Sequence, residues 1–226
     1  MSKFQIGIMA DSLNLPFRKS IEKCARLGAD GVQIYAVSGE MSPDNMTEAD
    51  LREKKKIIKD NGLSVSALCG DFGGHGFARR EENEWRIEDS KRILDLALEL
   101  DCKVVTTHAG VINLVMVTGD DPVKAAEMLA EYVVHTHAKD GIMLKQTDPK
   151  VIYDFFAEGG IGDLRLGDYF LETPLGEGKV DFASYLKTLD ARGFNGFLTI
   201  EREAGQNPEQ DIALAVDFLR KLISAF

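Results

Sequence analysis

The 226-residue chain has little that would staple, anchor or basify it. Its three cysteines, Cys24, Cys69 and Cys102, have no paired spacing. That excludes a disulfide framework and a CxxC metal or redox motif, and it points to reduced thiols in a cytoplasmic protein. No apolar run reaches membrane-spanning length, and the N-terminus MSKFQIGIMADS lacks the apolar core of a secretory signal. Positive charge is in the minority: 27 Lys and Arg stand against 37 Asp and Glu, for a net charge of −10. Such a field repels nucleic acid and anionic membrane, so neither is an expected partner. Four histidines are too few for a His-rich trinuclear zinc centre. No low-complexity segment and no second-domain signal appears. A hydrophobic content of 44% is enough for one substantial core.

What is present is a rhythm. Apolar strand patterns at Phe4–Asp11, Gly31–Ala36, Val65–Asp71 and Cys102–Gly110 alternate with helical ones. Phe17, Ile21, Cys24 and Ala25 mark a first helix ended by Gly28. Thr47 is placed to cap a charged helix that runs to about Asn61. A helix from about Glu84 to Glu99 puts Ile87, Leu94, Ala97 and Leu98 on one face. The joints RLGADGVQIY, KDNGLSVSAL, ELDCKVVTTH and ARGFNGFLTI are each a helix end, a short turn and an apolar strand. That is the αβ joint of a parallel βα repeat.

The rhythm breaks once. After the fourth strand, Val111–Asp121 shows no helix, and helical spacing resumes only at Pro122, with Ala125, Met128, Leu129 and Tyr132 at i, i+3, i+4 and i+7. The strand Val133–Asp140, VVHTHAKD, follows. Gly141–Leu171 is then long enough to predict a lid or binding loop. A helix carrying Phe182, Tyr185, Leu186 and Leu189, the strand Gly196–Glu201 and a helix from about Pro208 complete the chain.

Two strands carry the candidate chemistry. His135 and His137 are two apart, so on a strand they share one side of the sheet. Gly196–Glu203, GFLTIERE, runs apolar and stops on Glu201, where a carboxylate needs a compensating cation. Imidazole and carboxylate from two strand ends make a divalent-metal half-site. A lone core histidine and an ordinary strand-end carboxylate are the plainer readings of each taken singly. Lys139 and Asp140 are candidate substrate contacts, with a structural ion pair the competing reading. Arg202, Glu203 and Arg165 read as solvated, Asp11 and Asp71 as loop-start residues, and His75 with its Gly-rich loop as turn chemistry. His135 reads as a supporting or buried residue.

The pieces THAG at Thr107–Gly110, VHTHAKDG at Val134–Gly141, PLGEGKVDF at Pro174–Phe182 and GFLTIERE at Gly196–Glu203 resemble, in that order, the xylose-isomerase-like TIM barrels, the sugar phosphate isomerase/epimerase group. The resemblance implies an α/β fold, the (β/α)8 barrel, with a divalent ion (Mn, Mg, Zn or Co) at its C-terminal mouth. It implies His137 as the strand-seven ligand, Glu201 as the strand-eight ligand and a catalytic carboxylate, and His108 as a substrate contact. The family's strand-five Glu and strand-six Asp have no match. Six strands are predicted where the barrel has eight, and such barrels take roughly 250 residues. About two βα units are therefore expected to be absent between strand four and strand seven, by omission or true deletion, at the 112/113 junction of a single domain spanning 1–226.

The function expected from this resemblance is a divalent-metal-dependent isomerase or epimerase of a small sugar, sugar phosphate or polyol, working through an enediolate. The alternatives are a dehydratase of an inositol-type substrate and, were the chain complete, a non-catalytic sugar-binding relative. The expected partner is a small carbohydrate, with homo-oligomerisation left open.

Overall fold

The computed structural model describes residues 4–107 and 121–225. Six strands form one parallel sheet: β1 Gln5–Met9, β2 Gly31–Tyr35, β3 Ser64–Cys69, β4 Val105–Thr106, β5 Thr136–Ala138 and β8 Phe197–Ile200. The order across the sheet is β4-β3-β2-β1-β8-β5, and every pairing is parallel. These are the six strands predicted from the sequence, curled into a half-barrel in which β4 and β5 are the outer members. The 112/113 junction lies outside the described residues.

Parallel strands buried on both faces read as nearly continuous apolar runs, and β1 and β8 do: Ile6, Ile8, Leu198 and Ile200 are buried toward the helical layer. Helices α1 Phe17–Arg26, α2 Glu48–Asp60 and α7 Pro208–Ile223 pack there, and Ile93, Leu96, Leu186 and Leu189 from two further helices join the same core. Thr47 caps α2 as its position predicts, and Asp50 closes a reciprocal capping box. Asn207 caps α7 ahead of Pro208. Among the described residues the remaining α-helices are α3 Asn83–Glu99, α4 Pro122–Leu129, α5 Pro149–Ala157 and α6 Phe182–Ala191.

Most of the residues that helical spacing groups on α3 and α4 are not the ones these helices bury. On α3 the buried residues are Arg86, Ile93, Leu96 and Ala97, while Ile87, Leu94 and Leu98 are exposed. On α4 only Ala126 is buried, and Met128 and Leu129 are exposed, as is Tyr132 in the turn that follows. Periodicity groups residues onto a face, but it does not supply the neighbour that covers the face.

The long connection after β5 is a structured arm. β6 Asp140–Met143 pairs antiparallel with β7 Phe170–Thr173, and α5 sits between them in sequence. Asp148 caps α5 at its N-terminus. At its other end Glu158 accepts from Arg79 at 2.7 Å and meets His75 Nε2 at 2.5 Å. The arm thus leaves the end of β5 and is tied to the loop after β3, with β8, β1 and β2 between those strands in the sheet.

Candidate active site

Interior-facing side chains alternate along each strand, and at the C-terminal ends they converge. His135 and His137 point to one side of β5, as their spacing requires, and both rings reach the same atom. Gln33 Oε1 lies 2.7 Å from His135 Nε2 and 2.9 Å from His137 Nε2. The other ring nitrogen of His137, Nδ1, stands 2.9 Å from Glu201 Oε2. β5 and β8 are adjacent and in register at His137 and Thr199. Thr199 Oγ1 lies 3.2 Å from His135 Nε2.

Electrostatics separate these groups. Burial, with a smaller effect from neighbouring His137, pushes the pKa of His135 down to about 4, so His135 is neutral at physiological pH. Burial opposes ionisation of Glu201, but the hydrogen bond from His137 and the charge of Lys139 outweigh it and hold the carboxyl below the usual glutamate range. Burial likewise opposes the charge on Lys139, and Glu201, Glu203 and Glu172 together overcome it and raise the pKa. Lys139 Nζ lies 3.8 Å from Glu201 and 3.6 Å from Glu172 and pairs closely with Glu203. The rim therefore carries an ionised carboxylate beside a fixed cation.

Asp140, expected to contact substrate, is occupied otherwise. Its buried carboxylate accepts backbone N–H groups from Gly141 at 2.9 Å, Gly176 at 2.9 Å, Gly178 at 3.0 Å and Val180 at 3.1 Å. It anchors the PLGEGK loop, and Gly178 comes so near that a Cβ there would overlap the carboxylate. Arg202, read from sequence as solvated, is 7% exposed. Its guanidinium donates to Glu172 and Asp211, both at 2.8 Å. A cation in that setting is retained because two carboxylates hold it. Glu203 is exposed, as expected. Asp11 accepts from Tyr35 N–H at 2.9 Å, and burial raises its pKa. Asp71 accepts from Gly73 N–H at 2.8 Å. Arg165 is exposed. His108 lies outside the described residues.

Two site residues went unnoticed in the sequence. Gln33 gave a signal, a single amide inside the apolar strand GVQIY. Glu172 gave almost none: FLET in a long connection does not foretell a carboxylate that joins Lys139 to Arg202. Among the described residues, no group of three or more His, Cys, Asp or Glu is placed to hold a metal ion, and no helix is long and apolar enough to cross a membrane.

With this geometry in place, similarity to known proteins is informative. Rhizopine catabolism protein MocC of Rhizobium meliloti is 36% identical over 96 residues, which is 41% of this chain and 26% of that protein. The chain thus spans about a quarter of the length of that curated relative. A xylose isomerase domain protein from Planctomyces limnophilus superposes with a TM-score of 0.70 at 20% identity, covering 98% of this chain and 97% of the other. A D-tagatose 3-epimerase-like protein gives 0.64 at 13% identity, with 98% and 97% covered. A xylose isomerase-like TIM barrel protein from Mycobacterium smegmatis, in complex with magnesium, gives 0.59 at 13% identity, with 100% and 99% covered. At these identities the likenesses establish the fold alone. The family model for xylose isomerase-like TIM barrels matches residues 21–113 and 111–222, and the chain belongs to that family.

Proposed function

We propose that the chain is an isomerase or epimerase of a small sugar, sugar phosphate or polyol, assisted by a divalent metal ion. The observation that carries this reading is the meeting of His137 Nδ1 and Glu201 Oε2 at 2.9 Å on the rim, with Lys139 beside them. Two ligands at right angles, each ~2.1 Å from one ion, are about 3 Å apart, so these atoms fit adjacent positions on a shared ion. They are half of a site. The described residues offer two such donors where open catalytic sites use three or more. His137 and Glu201 would hold the ion, and when bound it would supply polarisation of a substrate carbonyl and the neighbouring hydroxyl.

The chain's own residues do the rest. Lys139 keeps Glu201 ionised, with His137 donating to it when no ion is bound, and an ionised carboxylate can act as the base. Glu201 takes the proton from the carbon between carbonyl and hydroxyl, and the C–H electron pair becomes the C=C bond of an enediolate. Return of the proton to the neighbouring carbon gives the isomer; return to the opposite face of the same carbon, from a second acid, gives the epimer. Lys139 would bind a substrate oxygen and offset developing negative charge. His108 is proposed as a substrate contact on the basis of the THAG resemblance alone. Asp140 serves this chemistry by holding the PLGEGK loop.

The test is solvent exchange. Purified protein with Mn²⁺ or Mg²⁺ in D₂O is expected to incorporate deuterium at the carbon beside the carbonyl of a ketose from a panel, read by NMR. Glu201→Gln is expected to slow incorporation by about 10²–10⁴-fold. Exchange that survives in Glu201→Gln, or its absence with every ketose and both ions, would overturn the assignment.

A further inference from the structure

We propose that Glu203 determines the substrate class of the rim: by occupying Lys139 it directs the site to uncharged ketoses and away from ketose phosphates, a choice that rests on the isomerase reading above. Four carboxylates meet two cations around Glu201. Lys139 Nζ pairs closely with Glu203 and lies 3.6 Å from Glu172 and 3.8 Å from Glu201. Arg202 is divided between Glu172 and Asp211, both at 2.8 Å. The group therefore carries two more negative charges than positive ones, and both cations are engaged before any ligand arrives. An ammonium has three N–H donors, so Lys139 can still give one to a sugar hydroxyl. A phosphate asks for more, because its recognition rests on charge-assisted hydrogen bonds, and three carboxylates already share the charge of Lys139.

The neighbouring loops supply no replacement. The turns after β1 and β2, residues 10–16 and 36–47, contain no Lys or Arg, and neither does the stretch 108–120, which lies outside the described residues. After β3, Arg79 is held by Glu158 at 2.7 Å and by Glu82 at 3.7 Å, and the buried Arg86 by Glu82 at 2.7 Å. Arg80, Lys145, Lys150, Arg165 and Lys179 are exposed, and an ion pair formed in water is weak.

Of the three carboxylates around Lys139, Glu203 is the one that can be changed alone. Its side chain is 58% exposed, against 12% for Glu172 and 11% for Glu201. Glu172 also accepts from Arg202 and from the backbone N–H groups of Glu203 and Ala204, so its loss would loosen the chain after β8. Removing the charge of Glu203 frees Lys139 and leaves those bonds in place. A divalent ion held by His137 and Glu201 would cancel the surplus negative charge without reversing it, and Lys139 would stay engaged.

The test is equilibrium binding to the full chain by saturation-transfer NMR, metal-free and with Mg²⁺, of each free ketose in a panel against its phosphate. A phosphate dianion about 8 Å from two surplus negative charges, in water at low salt, is disfavoured about tenfold. The free ketose is therefore expected to bind metal-free protein about tenfold more tightly than its phosphate, with a gap that closes as salt rises. Mg²⁺ is expected to narrow the gap without making the phosphate the tighter ligand. Glu203→Gln halves the surplus, so the phosphate is expected to gain about threefold while the free ketose is unchanged. A phosphate that binds more tightly than its free ketose overturns the proposal. So does an affinity ratio that Glu203→Gln leaves unchanged, or binding of neither member of any pair with or without Mg²⁺. A free ketose that binds with this preference and exchanges no deuterium would fail the isomerase reading and leave the preference standing; a phosphate that binds more tightly and exchanges would do the reverse.

Discussion

Strands β1, β2, β3 and β8 belong to the same sheet as β4 and β5, yet the two regions are built differently. The first four run for four to six residues each and are covered on the outside by α1, α2 and α7. Leu68, Leu198, Ile200, Ile212 and Leu219 are all buried between those layers. The outer strands are two residues and three residues long. The helices beside them, α3 and α4, expose apolar side chains: Leu94 and Leu98 on one, Met128 and Leu129 on the other, with Tyr132 and Val134 nearby. The two stretches matched by the family model meet at residues 111–113, between β4 and α4 in the chain. One region has the layers that parallel strands require. The other has the apolar faces of such layers without, among the described residues, the helices that would cover them.

The widest separation between the regions is expected in core substitutions. Leu198, 1% exposed on β8, fills space between the sheet and the helices. Leu198→Ala should cost about 2–5 kcal/mol, the lost transfer energy plus the cavity left behind. The measurement is the urea midpoint with the slope held constant. A loss below about 1 kcal/mol would mean that the covered region is no better packed than the open one, and the contrast would fail.

A smaller and local effect is expected where the arm joins the two regions. The arm grows from β5 and is fastened to the β3 loop by Glu158, which accepts from His75 and Arg79. Those two partners, His75 first, hold the Glu158 carboxyl below its ordinary range. A carboxyl depressed on folding contributes stability above its unfolded pKa of about 4.3 and loses it as the pH falls through the folded value. Hydrogen-exchange protection in α5 is therefore expected to be complete at neutral pH and to fall in acid, before protection in β1 and β8 changes. Glu158→Gln should lower α5 protection at neutral pH and remove that acid dependence. Equal loss in β1 and α5 across the same acid range would show that the arm is not separately fastened.

These contrasts bear on what could be read from the residues alone. The six strands, their parallel order and the shared side of His135 and His137 follow from periodicity and from repeated joints, which are local properties. Glu201 stands out in the sequence because a carboxylate directly after FLTI is locally anomalous. Asp140 was not: VHTHAKD gives no hint that Gly176, Gly178 and Val180 would donate to it from nearly forty residues away. Arg202 reads as solvated in the sequence because its partners, Glu172 and Asp211, come from an insertion and from a later helix. The same limit explains α3, where helical spacing puts Ile87, Leu94, Ala97 and Leu98 on one face but only Ala97 of these is buried, beside Arg86, Ile93 and Leu96.

The smallest expected effect is therefore the most telling one. Leu98 is 78% exposed on α3 and Met128 is 77% exposed on α4. A side chain nearly as exposed folded as unfolded gains almost no transfer energy, so its polar replacement should be close to neutral. Leu98→Gln and Met128→Gln are each expected to shift unfolding free energy by no more than about 0.5 kcal/mol, against several times that for Leu198→Ala. Leu98→Ala removes the same atoms as Leu198→Ala, so the ratio of those two costs measures cover rather than chemistry. Were Leu98→Gln to cost as much as Leu198→Ala, α3 would be covered in solution, and the open flank would have to be redrawn as a packed one.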